Sequence, residues 1–299
     1  MTNKSRIRYF FSQPVLASLF KAFGRSALAG NPATAGLTAE EVGAFVDAIW
    51  THRYSKIRCD PWEFREEFGR RKLAMILTMA RHAATVRSLP LLEVVQRGRW
   101  EVKYQVRDRF TPGESTADAR AKWAPDDVMF WNIIAGLKWE PGIFEPSVLT
   151  GATVLDYGCN VGALSYLARQ HGAGKLLLVD VPGTALDFAA SVHAEPRLVF
   201  PVTSNGTPDG LGAHQVDVAF CFHVLEHVPE PMEVVRTIHR MLRPGGIFYV
   251  TFAAMPETEG GCNLREAQSE RPKVLKFLRE SFEVLEWNER RVEYKLRKR

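Results

Sequence analysis

Residues 153–162 read TVLDYGCNVG, and residues 163–171 continue as ALSYLARQH. The first run is short and apolar, as in a buried strand, and the second has the spacing of an amphipathic helix. The glycines at positions 158 and 162 permit a tight turn and a close approach of a ligand to the N-terminus of that helix. This stretch therefore predicts the first strand–turn–helix step of a parallel sheet.

The rest of the C-terminal half repeats this alternation. Further strand-like runs are KLLLVDVP, RLVFPVT, VDVAFCF and IFYVTFA, and the last two, FEVLEWNE and RVEYKLRK, are close enough to form a hairpin. Helical segments separate the earlier runs. The pattern predicts an α/β fold: a doubly wound, mostly parallel seven-stranded sheet with helices on both faces and an antiparallel strand from the terminal hairpin.

The N-terminal part differs, because residues 1–125 are predicted to be mainly helical. Thr38 is a plausible N-cap with acidic residues in the turn that follows, and Asp60 with Pro61 gives a second helix start. We predict two regions, a helical one over residues 1–125 and the α/β core over residues 126–299. Six aromatic residues could roof a ligand pocket or form core between the regions: Trp100, Tyr104, Trp123, Phe130, Trp131 and Trp139.

The net charge of +5 is concentrated at the two ends of the chain. The first 39 residues carry five basic and no acidic side chains, the last ten carry six basic and one acidic, and the remainder has a net charge of about −5. An acidic body argues against nucleic acid as a partner. The four scattered cysteines lack a CxxC pair, which argues against a disulfide framework or a cysteine zinc site and favours the cytoplasm.

The basic N-terminal arm, KSRIRYFFSQPVLASLFKAFGRSA, has two interpretations. It is either a targeting or membrane-surface helix, which would give a peripheral membrane contact, or a solvated arm whose aromatic residues dock on the body. The second is the commoner behaviour of such arms. The sequence does not determine the oligomeric state.

The polar residues at the predicted strand ends indicate the ligand. Asp156 ends the first strand and can bind a cationic amino group, directly or through water. In the dinucleotide fingerprint G-x-G-x-x-G the second glycine leaves room for a pyrophosphate, and Asn160 occupies that position here. Asp180 ends the second strand, 22 residues after Gly158, and is placed to bind ribose hydroxyls, unless it is a helix cap or surface carboxylate. Together they favour a ligand with a ribose, a base, a cationic tail and no phosphates.

Four segments, VLDYGCNVGALSYLA, LLLVDV, VDVAFCFHVLEHVPEP and LRPGGIFYVTF, resemble in order and spacing the motifs of class I S-adenosylmethionine-dependent methyltransferases. The resemblance covers roughly residues 126–299 and implies S-adenosyl-L-methionine as the cofactor. It implies that Gly158, Asn160 and Gly162 line the methionine moiety and that Asp180 holds the ribose. Further cofactor contacts expected on this basis are Val181 and Phe222 at strand ends, and Ser204 and Asn205 near the adenine.

His223, just past the fourth strand, is the candidate catalytic residue. Its position resembles that of the catalytic histidine of plant phenolic O-methyltransferases, and a histidine suits a base for a hydroxyl acceptor. The alternative is that it shapes the pocket or contacts the cofactor through its backbone. The VLEHV segment also resembles the E-x-x-E-H metal site of quinone-pathway O-methyltransferases, with His223, Glu226 and His227 as the ligands here. Because LEH recurs in metal-independent members, we expect no metal.

The sequence thus predicts methyl transfer to a small-molecule acceptor, and O-methylation of a secondary metabolite, quinone or sugar hydroxyl is the favoured form. Residues 1–125 would cap the acceptor site. Two alternatives remain. One is a tRNA-modifying enzyme of the same fold, since some share the GCN glycine turn and an N-terminal extension. The other is a non-catalytic S-adenosylmethionine-binding partner protein, which the intact glycine turn and carboxylates disfavour.

Overall fold

The structure is a computed structural model that describes residues 13–51, 70–99, 126–136, 145–193, 196–202, 208, 210–254, 263–288 and 293–299. These residues divide into two compact units, a helical one up to residue 136 and an α/β one from residue 145. No helix among the described residues is long and apolar enough to cross a bilayer. The helix start expected at Asp60 and Pro61 lies outside the described ranges, as do Trp100, Tyr104, Trp123 and Trp139.

The helical unit begins where the sequence predicts a cap. Thr38 Oγ1 accepts a hydrogen bond from Glu41 N at 3.1 Å, and Glu41 Oε2 accepts one from Thr38 N at 2.8 Å. This reciprocal pair satisfies two backbone donors that the first helical turn leaves without partners. The helices of the unit are α1 (Gln13–Leu28), α2 (Ala39–Ile49), α3 (Arg70–Arg87), α4 (Leu91–Arg97) and α5 (Asp126–Trp131), and α5 continues as a π-helical turn, Asn132–Gly136.

Helix α5 belongs to the helical unit, although the sequence placed residues 126–136 with the core. Arg97 Nε donates to Asp127 Oδ1 at 2.7 Å, and the Arg97 guanidinium lies 4.9 Å from the centre of the Phe130 ring. Phe130 and Trp131 are both buried in this unit. These two aromatic residues therefore serve as core, and a capping function for residues 1–125 stays a prediction.

The α/β unit contains one seven-stranded sheet in the order β3-β2-β1-β4-β5-β7-β6, within the part of the chain that the structure describes. Its strands are β1 (Thr153–Tyr157), β2 (Lys175–Asp180), β3 (Arg197–Pro201), β4 (Val216–Cys221), β5 (Leu242–Thr251), β6 (Phe282–Asn288) and β7 (Glu293–Lys298). The pairs from β3 to β5 are parallel, and β7 is antiparallel to both β5 and β6. The predicted mostly parallel sheet is confirmed, with the antiparallel strand inserted between β5 and β6.

The central strands are buried on both faces. In β1, β2 and β4 successive residues are buried without alternation. Because neighbouring side chains on a strand point to opposite faces, both faces must be covered. The flanking helices are α6 (Pro146–Leu149), α7 (Ala163–Gln170), α8 (Thr184–Val192), α9 (Pro231–Met241) and α10 (Arg265–Ser281).

The start of β5 is irregular around the tripeptide Pro244, Gly245 and Gly246. Leu242 pairs with Val216, and the regular register resumes only where Ile247 pairs with Val218. Residues 243–245 are exposed, and Gly245 has a φ of +78°. The chain thus enters the sheet before the glycines and then bulges out, because a left-handed glycine interrupts the regular pairing.

Candidate cofactor and active site

The turn after β1 is tied to β2 by backbone hydrogen bonds. Gly158 and Gly162 have φ values of +76° and +75°. Gly158 N and Cys159 N both donate to Val179 O, at 2.7 and 3.0 Å, and Gly162 N donates to Cys159 O at 2.7 Å. The left-handed region is the one that glycine adopts without a steric penalty, so the structure explains both glycines. We refer to residues 158–162 as the glycine corner.

The space beside these glycines is filled by the protein itself. A Cβ added at Gly158 would overlap Val224 Cγ2, and one at Gly162 would lie 2.6 Å from His193 Nε2. The His193 ring is buried, and its Nε2 lies 3.0 Å from Gly162 O. The sequence analysis expected the two glycines to leave space for a ligand. In the structure, that space is occupied by Val224 and His193.

Asp156 is buried beneath the corner and contacts the first turn of helix α7. Its Oδ2 accepts hydrogen bonds from Ser165 N at 3.1 Å and Ser165 Oγ at 2.6 Å, and the residue is 2% exposed. Burial raises the pKa of Asp156 to about 6, although the two hydrogen bonds from Ser165 act in the opposite direction. The positive end of a helix commonly binds an anionic ligand. Here a carboxylate of the chain occupies that place, which disfavours a phosphate and favours a cation.

Asp180 joins the end of β2 to the glycine corner. Its Oδ2 accepts a hydrogen bond from Asn160 N at 2.6 Å, and its Oδ1 accepts one from Val181 N at 2.7 Å. Asn160 has a φ of +49°, in the left-handed region that asparagine tolerates better than most residues. Gly183 is the N-cap residue of α8, so Asp180 is not that cap. Each carboxylate oxygen can accept a second hydrogen bond, as a ribose hydroxyl would require.

These groups fit S-adenosylmethionine better than a dinucleotide. Asn160 Oδ1 is a buried acceptor without a hydrogen-bond partner among the described residues. Together with the carboxylates of Asp156 and Asp180, it gives the corner acceptors and negative charge. An ammonium group, a sulfonium and ribose hydroxyls would complement such a surface, whereas a diphosphate would be repelled by it.

The chain leaves β4 through an irregular stretch, residues 222–227, which we call the 222–227 segment. Residues 225–227 form a single 3-10 turn, closed by a hydrogen bond of 2.8 Å from His227 N to Val224 O. His223 N donates to Thr251 Oγ1 at 2.7 Å, and Leu264 N donates to Glu226 O at 2.9 Å. The segment is therefore held by the end of β5 and by the residue before α10.

His223 and Glu226 form a pair within this segment. His223 Nδ1 lies 3.3 Å from Glu226 Oε1, and the side chains are 45% and 2% exposed, respectively. Burial alone would raise the pKa of Glu226, but the hydrogen bond from His223 and the charge of His227 outweigh it and lower that pKa. Glu226 Oε2 has no hydrogen-bond partner in the described part of the chain. When Nδ1 donates to this carboxylate, Nε2 carries the lone pair that a base needs.

The sequence analysis also considered a metal site and further cofactor contacts in this region. No group of three or more His, Cys, Asp or Glu residues in the described ranges could hold a metal ion, so His223, Glu226 and His227 do not form one. Phe222 is half-buried, with its ring 6.5 Å from that of Phe220. Ser204 and Asn205 lie outside the described residues.

Four contributing residues were missed by the sequence analysis: Ser165, His193, Val224 and Thr251. Ser165 carries a local signal, because serine is a polar residue favoured near helix starts, where its side chain can form local hydrogen bonds. Thr251 carries a weaker one, as a hydroxyl in an otherwise apolar strand. The contacts of Val224 and His193 with the glycines join distant parts of the chain and leave no pattern in the sequence.

Comparison with known proteins finds similarity within the α/β unit. Residues 155–250 match the family described as a methyltransferase domain. Two curated relatives are named ubiquinone biosynthesis O-methyltransferase. That of Pseudomonas paraeruginosa (strain DSM 24068 / PA7) is 34% identical and that of Pseudomonas syringae pv. tomato (strain ATCC BAA-871 / DC3000) 36% identical, each over 119 residues, or 38% of this chain and 50% of the relative. The chain thus spans about half the length of the curated relatives it matches.

Among solved structures, the N-methyltransferase NodS from Bradyrhizobium japonicum WM9 in complex with S-adenosyl-L-homocysteine is similar at 15% identity. The match covers 51% of this chain and 83% of NodS, with a TM-score of 0.39, a likeness too slight to bear on function. The family match and the curated relatives carry the assignment. Residues 155–250 thus match a methyltransferase domain, and S-adenosyl-L-methionine is the cofactor of such a domain. The resemblance found in the sequence is confirmed.

Proposed function

We propose that this protein transfers the methyl group of S-adenosylmethionine to a hydroxyl oxygen of a small organic acceptor, with His223 as the general base. The observation that carries this proposal is the His223–Glu226 pair at the end of β4, inside the methyltransferase domain. The acceptor classes we consider are a secondary metabolite, a quinone and a sugar. The names of the curated relatives support a hydroxyl of a quinone-type ring.

The reaction needs alignment and one proton transfer. The bound cofactor supplies an electrophilic methyl carbon on a positively charged sulfur. In the transfer, a bond would form between the acceptor oxygen and that carbon as the carbon–sulfur bond broke, and S-adenosylhomocysteine would be the leaving group. His223 Nε2 takes the hydroxyl proton, and Glu226 stabilises the imidazolium through Nδ1, 3.3 Å from its Oε1.

The cofactor contacts are part of the same proposal. Asp180 holds the ribose hydroxyls, while Asn160 and the buried Asp156 supply acceptors and charge for the methionine end. Support comes from Asn160 Oδ1, which has no hydrogen-bond partner among the described residues, and from the hydrogen bond that Asp180 accepts from Asn160 N in the glycine corner. Two further sets of cofactor contacts stay predictions. One is formed by the backbone of Gly158, Gly162, Val181 and Phe222, and the other by Ser204 and Asn205 near the adenine.

A labelling assay with the full chain tests the reaction. The protein is incubated with S-adenosylmethionine carrying a labelled methyl group and with a hydroquinone, a dihydroxybenzoate, a methyl glycoside or total tRNA. We expect label on a hydroxyl oxygen of a small molecule, as an ether located by mass spectrometry. Label on tRNA alone would replace the proposal with nucleic-acid modification. Tight binding of S-adenosylhomocysteine without any transfer would favour a non-catalytic partner protein.

A further inference from the structure

The end of β5 carries a buried hydroxyl that the proposed reaction does not use. Thr251 is 1% exposed and follows the buried Val250 in the strand. Its Oγ1 accepts a hydrogen bond from His223 N at 2.7 Å. Strand β4 has already ended at Cys221, so the N–H of residue 223 lies past the regular β4–β5 ladder, and a side chain takes the place of a strand carbonyl.

The backbone at this position needs such support. His223 has a φ of +55°, in the left-handed region that residues with a side chain rarely adopt. Such conformations persist only where the surrounding structure holds them, and they concentrate at functional sites. The hydrogen bond to Thr251 holds the backbone N–H of residue 223 itself.

The other anchors of the 222–227 segment act on either side of His223. Val224 packs against Gly158, and Glu226 O accepts the hydrogen bond from Leu264 N at 2.9 Å. If the bond to Thr251 were removed, these anchors would still hold the segment in place. Residue 223 alone would then be free to leave its left-handed conformation, and the direction of the imidazole relative to Glu226 would change with it.

We propose that Thr251 is a positioning residue for methyl transfer: its hydroxyl holds the backbone of His223 in the conformation from which Nδ1 reaches Glu226. This inference rests on the proposed function, in which the Nδ1 contact leaves Nε2 as the base. Thr251 touches neither cofactor nor acceptor in this scheme. Its effect reaches the reaction through the orientation of His223.

Two substitutions separate the hydroxyl from the shape of the side chain. Thr251→Val keeps the shape and removes the acceptor, whereas Thr251→Ser keeps the hydroxyl. The readout is ¹⁵N NMR of histidine-labelled full-length protein with S-adenosylhomocysteine, at a pH where the imidazoles are neutral. The His223 signals are assigned by their absence in His223→Asn. If Thr251→Val does not fold, as judged by thermal unfolding, Thr251→Ala replaces it.

We expect wild type and Thr251→Ser to show the Nδ1–H tautomer of His223, and Thr251→Val to lose that preference. For any acceptor that the labelling assay identifies, Thr251→Val should also lower kcat about tenfold or more with an unchanged KM for S-adenosylmethionine. Identical spectra for wild type and Thr251→Val would overturn the inference, as would equal loss in both variants. The proposed function fails separately, if His223→Asn retains full transfer while the spectra still respond to Thr251.

Discussion

The glycine corner and the 222–227 segment lie at the carboxyl ends of neighbouring strands, yet they are built differently. The corner is held by its own backbone donors, which reach the carboxylate of Asp180 and a carbonyl of β2. The segment is held by single contacts to elements far along the chain, among them Thr251 and Leu264. The hydrogen-bond partners of the corner thus lie nearer to it in the sequence than those of the segment.

The glycine corner and the 222–227 segment touch where Val224 packs on Gly158. The substitution Gly158→Ala should therefore disrupt the structure of both. The new methyl group would overlap Val224, and residue 158 has a φ of +76°. We expect a loss of about 3 kcal/mol in the free energy of unfolding, from left-handed strain and overpacking together. Chemical denaturation of the variant measures it.

Gly151→Ala is the matched control, because Gly151 has a φ of +72° and no atom lies within 4 Å of the added Cβ. This variant should lose about 1–2 kcal/mol of its free energy of unfolding, the cost of left-handed strain alone. Equal losses at the two positions would show that the contact with Val224 is relaxed easily. Val224→Ala added to Gly158→Ala should recover part of the difference.

His223→Asn should separate the two regions by function. Asparagine tolerates the left-handed backbone, so the variant removes the imidazole with little effect on the segment. We expect turnover to fall about 100-fold or more, the usual contribution of a general base, with the affinity for S-adenosylhomocysteine retained. Steady-state transfer and calorimetry measure the two quantities. Full turnover would leave His223 with a shaping role alone.

Asp180→Ala should lower the affinity for the cofactor, which His223→Asn is expected to leave unchanged. It removes the acceptor of Asn160 N and Val181 N together with the proposed ribose contact. We expect the affinity for S-adenosylhomocysteine to fall about 10- to 100-fold, as for the loss of one or two hydrogen bonds to a charged group. Asp187→Ala, an exposed acid in the first turn of α8, is the control and should bind normally. Unchanged binding in Asp180→Ala would remove the ribose assignment.

Asp156→Asn should change the stability of the protein by an amount that depends on pH. The pKa of Asp156 in the folded protein is about 6, above its ordinary value of 3.8. Its ionisation therefore opposes folding: the favourable contribution of the neutral acid is complete below pH 3.8 and is lost as the pH rises through about 6. Relative to wild type, the variant should gain at most about 3 kcal/mol of stability at pH 8, the free energy that corresponds to a pKa shift from 3.8 to about 6, and close to none at pH 4. Thermal unfolding at both pH values measures it, and a gain independent of pH would contradict the assignment.

The sequence predicted the elements whose signals are local. The apolar run before Asp156, the glycines at its end and the acid that closes β2 lie within thirty residues, and each has a physical reason readable from spacing. The capping box at Thr38 was predictable for the same reason. In the structure, the predicted residues Asn160, Asp180 and Val181 come together through hydrogen bonds.

The contacts that could not be predicted join distant residues. Nothing in the spacing of IFYVTFA indicates that Thr251 meets His223, 28 residues earlier. The place of β7 between β5 and β6 depends on which edge the terminal hairpin docks against, and strand alternation does not encode that choice. Residues 126–136 are helical, as the sequence predicted. They pack in the helical unit, however, whereas the sequence analysis placed them with the α/β core.

The position of β7 between β5 and β6 affects the order in which the sheet folds. Strands β6 and β7 are neighbours in sequence and pair with each other, whereas β5 finds its antiparallel partner more than forty residues further along the chain. Local pairings close before distant ones, since a longer loop costs more entropy to order. The hairpin should therefore form first and then add to β5 as a two-strand unit, which makes this addition a late event on the folding pathway.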